Sequence, residues 1–152
     1  MMEATSLIRS AAFLVLLNCA TSRGMEDNYA NFILKNGNSV SEVGTVKNAK
    51  LTWGKWQHDG DDLATVNNVR FNTVTAATFR ASGRENSPSG AEGSFEIYEG
   101  ARKVAVVVFD IPFWGTNQVE IRELDDEFVC KQRGFTPTGS PTIIIKCHKI
   151  SD

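Results

Sequence analysis

The stretch Asn48 to Asp62, NAKLTWGKWQHDGDD, decides how the chain is read. Ala49, Leu51 and Trp53 fall on one face while Lys50 and Thr52 fall on the other, the period-two signature of a half-buried strand. Gly54 ends that regularity. Trp53 and Trp56 stand at the strand's exit beside lysine, histidine and aspartates, where an indole is apolar on one side and wet on the other. Membrane-interface aromatics are built this way. The acidic run 58–62 that follows reads as a solvated, glycine-broken loop, because it lacks the spacing and terminal bidentate glutamate of a calcium loop.

Short strands are expected on both sides of this stretch. On the N-terminal side, residues 28–34 mix aromatic and β-branched residues and stop at the turn signal Asn36-Gly37-Asn38, and residues 40–46 alternate weakly. On the C-terminal side, Val69, Phe71, Thr73 and Thr75 share a face with Ala77, Phe79 and Ala81, which implies two strands or one long bent strand. Residues 82–93, SGRENSPSGAEG, are a surface loop by composition. Residues 94–98 and 103–109 form a hairpin, and strands at 119–124, 127–131 and 142–148 complete the set. No amphipathic helix of useful length interrupts them. Many short strands separated by turn signals predict an all-β sandwich or barrel.

With 152 residues, 41% of them apolar and 22% charged, the chain suits one globular domain. A formal net charge of -2 and the absence of a long Lys/Arg cluster argue against a nucleic-acid partner. Residues 1–24 read as a secretory signal peptide: Arg9 precedes an apolar run too short to span a bilayer, and small residues follow at Ala20, Ser22 and Gly24. The mature domain is then residues 25–152. It keeps two cysteines, Cys130 and Cys147, and an even pair in an exported chain suggests a disulfide. The pair is symmetric about Thr138-Gly139, so a hairpin folding there sets the two opposite each other. The two histidines, His58 and His148, fall in no catalytic or metal-ligand spacing. An enzyme reading therefore has no constellation to rest on, and no cofactor or metal is expected.

Three motifs in order, NAKLTWGKWQHDGD at 48–61, SGRENSPSGAEGSFEIYEG at 82–100 and VFDIPFWGTNQ at 108–118, resemble the aegerolysin family. The resemblance runs from about Asn31 to Asn117. It implies a single-domain antiparallel β-sandwich of the aegerolysin/actinoporin-like kind that recognises membrane sphingolipid, either sphingomyelin with cholesterol or ceramide phosphoethanolamine. Several family members act with a larger perforin-like (MACPF) protein that forms the pore, so such a partner is implied as well. By the same resemblance Trp53 and Trp114 match membrane-facing tryptophans, Tyr29 falls near an N-terminal tryptophan position, and Arg84 matches the arginine after the loop glycine. The family's loop glutamate falls on Ser89, with Glu92 three residues on, and Phe113 is an additional aromatic before Trp114.

Physical chemistry supports the carry-over: an arginine grips a headgroup phosphate, and an indole face or a carboxylate holds an ammonium. The lipid-binding set is then Trp53, Trp114, Trp56, Tyr29, Arg84, Phe113 and Glu92. For each tryptophan the alternative is a place in the core. The alternative function is a secreted β-sandwich that binds protein or carbohydrate without cytolytic activity.

Overall fold

The computed structural model describes residues 28–37, 42–84 and 87–150. The signal-peptide assignment at 1–24, Cys19, and parts of the 36–38 turn and the 40–46 strand lie outside them. Among the described residues eleven strands make two sheets packed face to face, the sandwich that the alternating patterns and the resemblance imply. The six-stranded sheet has the order β10 (Phe128–Arg133), β11 (Thr142–Lys149), β1 (Tyr29–Asn36), β6 (Ala77–Ser82), β3 (Lys55–His58), β4 (Asp61–Leu63). The five-stranded sheet runs β5 (Arg70–Phe71), β2 (Gly44–Trp53), β7 (Ala91–Glu99), β8 (Arg102–Ile111), β9 (Gln118–Arg122). All neighbours are antiparallel except β1 and β11, which pair in parallel from Asn31↔Thr142 to Asn36↔Cys147.

The core is written in the alternation. Ala30, Phe32 and Leu34 of β1 and Ala77, Phe79 and Ala81 of β6 point inward from one sheet; Phe95, Ile97, Val107, Phe109 and Ile111 of β7 and β8 meet them from the other. Phe32 touches Phe79, Phe95 and Phe109 with ring centroids 5.0–5.5 Å apart. Such aromatic pairs add about 0.5–1.5 kcal/mol each beyond the area they bury. Cys130 and Cys147 are register partners of β10 and β11 and are disulfide-bonded, which staples the edge strand to its sheet.

Four local expectations are revised. Residues 44–53 form one strand, with a bulge between Lys47 and Lys50 where Asn48 takes a φ of 50°. The acidic run is a β-hairpin of β3 and β4 and not simply a loop: Asp59 and Gly60 both have positive φ, as a two-residue type I′ turn requires. Residues 69–82 hold two strands, β5 and β6, as one of the two readings has it; what is revised is their common face in one sheet, since they belong to different sheets.

The fourth revision concerns Trp56. Its place in the lipid-binding set is corrected, because it is 2% exposed and packs edge-on against Phe79 and Phe109 in the core. The cause is Gly54, the single residue between β2 in one sheet and β3 in the other. With φ at 110°, and with any Cβ there set 2.5 Å from the Ser82 carbonyl oxygen, only glycine fits. The register shifts between Leu51 and Trp53 and the chain then crosses, so Trp53 ends one sheet facing solvent and Trp56 enters the other facing the core.

Candidate lipid-binding end

Strand direction brings four junctions to one end of the sandwich: β2–β3 at Gly54, β6–β7 at 83–84 and 87–90, β8–β9 at 112–117 and β10–β11 at 134–141, beside the start of β1. They are fastened to one another by backbone groups. Asn28 donates through Nδ2 to the carbonyls of Pro112 (2.8 Å) and Phe113 (3.1 Å), and its own carbonyl accepts from Gly83 N–H. Gly90 lies so close to Ile111 and Pro112 that a Cβ would clash. Asn117, 2% exposed, donates through Nδ2 to Thr136 and Gly139 carbonyls and through its backbone N–H to Pro137. Each bond satisfies a loop carbonyl that no strand ladder reaches.

This scaffold displays aromatic rings. Trp114 is 81% exposed, with Phe113 half-buried beneath it in an edge-to-face contact at 5.0 Å. Trp53 is 43% exposed, and the Arg84 guanidinium lies over its ring at 4.3 Å, worth about 0.5–1 kcal/mol at an exposed site. Tyr29 stacks likewise under Arg80 at 4.0 Å, while Arg80 Nε donates to Asn31 Oδ1. Glu92 is exposed and stands directly across the ladder from Trp53. Ser89 accepts the Arg84 backbone N–H at 3.0 Å through Oγ, holding the loop that presents the guanidinium.

Trp53, Trp114, Phe113, Tyr29, Arg84 and Glu92 therefore share one end; Trp56 lies near it but is buried against Phe79 and Phe109. Phe135, 40% exposed in the β10–β11 loop that Asn117 holds, joins them. Sequence reasoning passed over it inside the turn-rich segment 134–141, although an aromatic directly after Gly134 in a solvated loop is a signal of the kind that singled out Trp114. Among the described residues no group of three or more His, Cys, Asp and Glu is placed to hold a metal ion.

The opposite end is built differently. Arg102 donates to both carboxylate oxygens of Asp125 at 2.9 Å and to Glu127 at 2.8 Å, and Lys103 pairs with Glu123 at 2.6 Å. The Asp125 carboxyl is held below the ordinary range by the Glu127 backbone N–H and then by Arg102. Glu127 is lowered by Arg102 and then by Lys149.

Comparison with known proteins shows what the chain is similar to. The Aegerolysin family model matches residues 29–145. Asp-hemolysin of Aspergillus fumigatus is 34% identical over 95 residues, covering 58% of this chain and 68% of that protein. The crystal structure of RahU in complex with a TRIS molecule superposes with a TM-score of 0.76 at 22% identity, over 82% of this chain and 97% of RahU. IP-1A from Alcaligenes faecalis gives 0.69 at 25% identity, over 83% and 94%. The lipid binding protein Nakanori gives 0.50 at 10% identity, over 80% and 70%.

Proposed function

The chain belongs to the aegerolysin family, and from that premise we propose that it is a secreted protein that binds membrane lipid through its aromatic end. The observation that carries the reading is the convergence of Trp53, Trp114 and Phe135, all exposed, with Arg84 beside them on one backbone-fastened end. Rings of this kind partition into the headgroup region. The guanidinium offers planar donors to a phosphate, and the indole faces and Glu92 offer a place for an ammonium. A zwitterionic sphingolipid headgroup, sphingomyelin with cholesterol or ceramide phosphoethanolamine, matches that pairing. The similarity to Asp-hemolysin and the shared fold of a lipid binding protein support the same direction.

Binding is the whole of this chain's role in the proposal. Among the described residues no helix is long and apolar enough to cross a membrane, and the strands are committed to the two sheets. Lysis then requires a perforin-like partner that this protein addresses to its target. Co-sedimentation with vesicles of sphingomyelin/cholesterol, ceramide phosphoethanolamine/cholesterol and phosphatidylcholine tests the reading: binding to one sphingolipid mixture and not to phosphatidylcholine is expected. Binding to none of them, together with retention on a glycan array, overturns it.

A further inference from the structure

The outer face of the six-stranded sheet carries a row of like charges. Lys131 on β10 is the register partner of Lys146 on β11, and Lys146 is the partner of Lys35 on β1. All three are exposed, and among the described residues none makes an ion pair. The outward neighbours two residues away along these strands are Ile33, Ile144 and Arg133 on one side and Val129, His148 and Gly37 on the other. None is acidic. Like charges directly opposite across a ladder oppose folding; on the five-stranded sheet the one acidic pair, Glu92 and Asp110, is isolated and Lys47 faces Glu96, whereas here three lysines follow one another across three strands. A fourth cation, Arg133, in a protein with 18 acidic against 16 basic residues makes the concentration on one face sharper still.

We propose that this row is a docking surface for a carboxylate-rich segment of a protein partner. Complementarity selects an anion: the lysines form a basic line across three strands above a half-buried floor of Ile33, Ile144 and Val129. Position selects a protein over a lipid surface, and that choice rests on the membrane-facing reading of the aromatic end. Lys35 lies six residues along β1 from Tyr29, about 20 Å at the rise of a strand. Charges that far apart in physiological salt are screened, since the Debye length is about 8 Å. With the aromatic end on a membrane, the row stands on the flank, open to a neighbour on the same bilayer.

The test uses a fluorescein-labelled oligoglutamate peptide, followed by anisotropy at low and high salt. The wild-type chain binds it at low salt, and Lys146→Glu weakens binding by at least about tenfold. Lys146→Glu also raises Tm by about 2–4 °C, because the new carboxylate then faces Lys35 and Lys131. Lys50→Glu makes the same change of charge on the other sheet and leaves peptide binding unaltered. Equal losses in the two variants, or undiminished binding by Lys146→Glu, overturn the proposal. So does uptake by phosphatidylserine vesicles that Lys146→Glu abolishes while the peptide is ignored. Lys146→Glu keeps whatever sphingolipid binding the wild type has, so failure of the lipid reading shows in the vesicle panel and not in the peptide titration.

Discussion

The two ends of the sandwich use the same raw material, the turns between strands, for opposite purposes. At the charged end, Arg102, Asp125, Glu127, Lys103 and Glu123 occupy one another, and the surface is solvated and self-satisfied. At the aromatic end, what holds the loops is backbone and asparagine: Asn28, Asn117 and the close approaches at Gly54 and Gly90. The rings themselves hold little in place. Holding and display are assigned to different residues there, so an exposed ring can be lost without loosening the loop that carries it. Exposed apolar groups gathered in this way mark an interaction surface.

The sharpest way to break that contrast is to remove one exposed apolar residue from each end. Trp114→Ala is expected to lower vesicle binding at least about tenfold, or about 1.4 kcal/mol, while moving Tm by no more than about 2 °C. Val74, 91% exposed in the turn before β6 at the other end, becomes alanine with no change in either measurement. If Trp114→Ala unfolds the protein, or Val74→Ala weakens binding as much, the ends do not differ as described. A finer test is a double-mutant cycle on Trp53→Ala and Arg84→Ala by chemical denaturation. A coupling of about 0.5–1 kcal/mol is expected from the stacked guanidinium, and strict additivity would reduce the pair to mere neighbours.

The smallest effect belongs to the charged end and is a matter of pH. Asp125 and Glu127 have depressed carboxyl pKa values, so their contribution is present above the ordinary carboxylate range and is lost as pH falls through the depressed values. Arg102→Ala lowers Tm at neutral pH by at most about 4 °C and flattens the acid limb of the stability profile. The curves of the two proteins converge in strong acid. Trp114→Ala, having no charged partner, follows the wild-type profile throughout; a flattened acid limb in that variant too would erase the distinction between the ends.

The inward rows of β1, β6, β7 and β8 were legible because period two and burial coincide there, and the hairpin of β7 and β8 followed from its turn. What alternation did not show is where the chain leaves one sheet for the other. Counted on from Ala49 and Leu51, which pack on the core, alternation assigns Trp53 inward and Trp56 outward. The register shift after Leu51 and the crossing at Gly54 reverse the two, with Trp53 in water and Trp56 among Phe79 and Phe109. The Asp59-Gly60 turn carried a hairpin signal that the surrounding charges masked, since acidic residues argue for a loop before they argue for an edge strand. Phe135 was hidden for the same reason: its segment was judged by its turn residues. The lysine row depends on register among β10, β11 and β1, which no single segment encodes.

The parallel pair of β1 and β11 bears on the order in which the protein can be assembled. Asn31 and its partner Thr142 are 111 positions apart, and the strand they help align lies in the middle of its sheet, between β6 and β11. A ribosome working from the amino end delivers β1 long before it delivers β11, and in the interval one flank of β1 has no hydrogen-bonding neighbour. Contacts so distant along the chain make for slow folding. The six-stranded sheet therefore gains its parallel central pair only when its last strand arrives, after nearly the whole chain has been made.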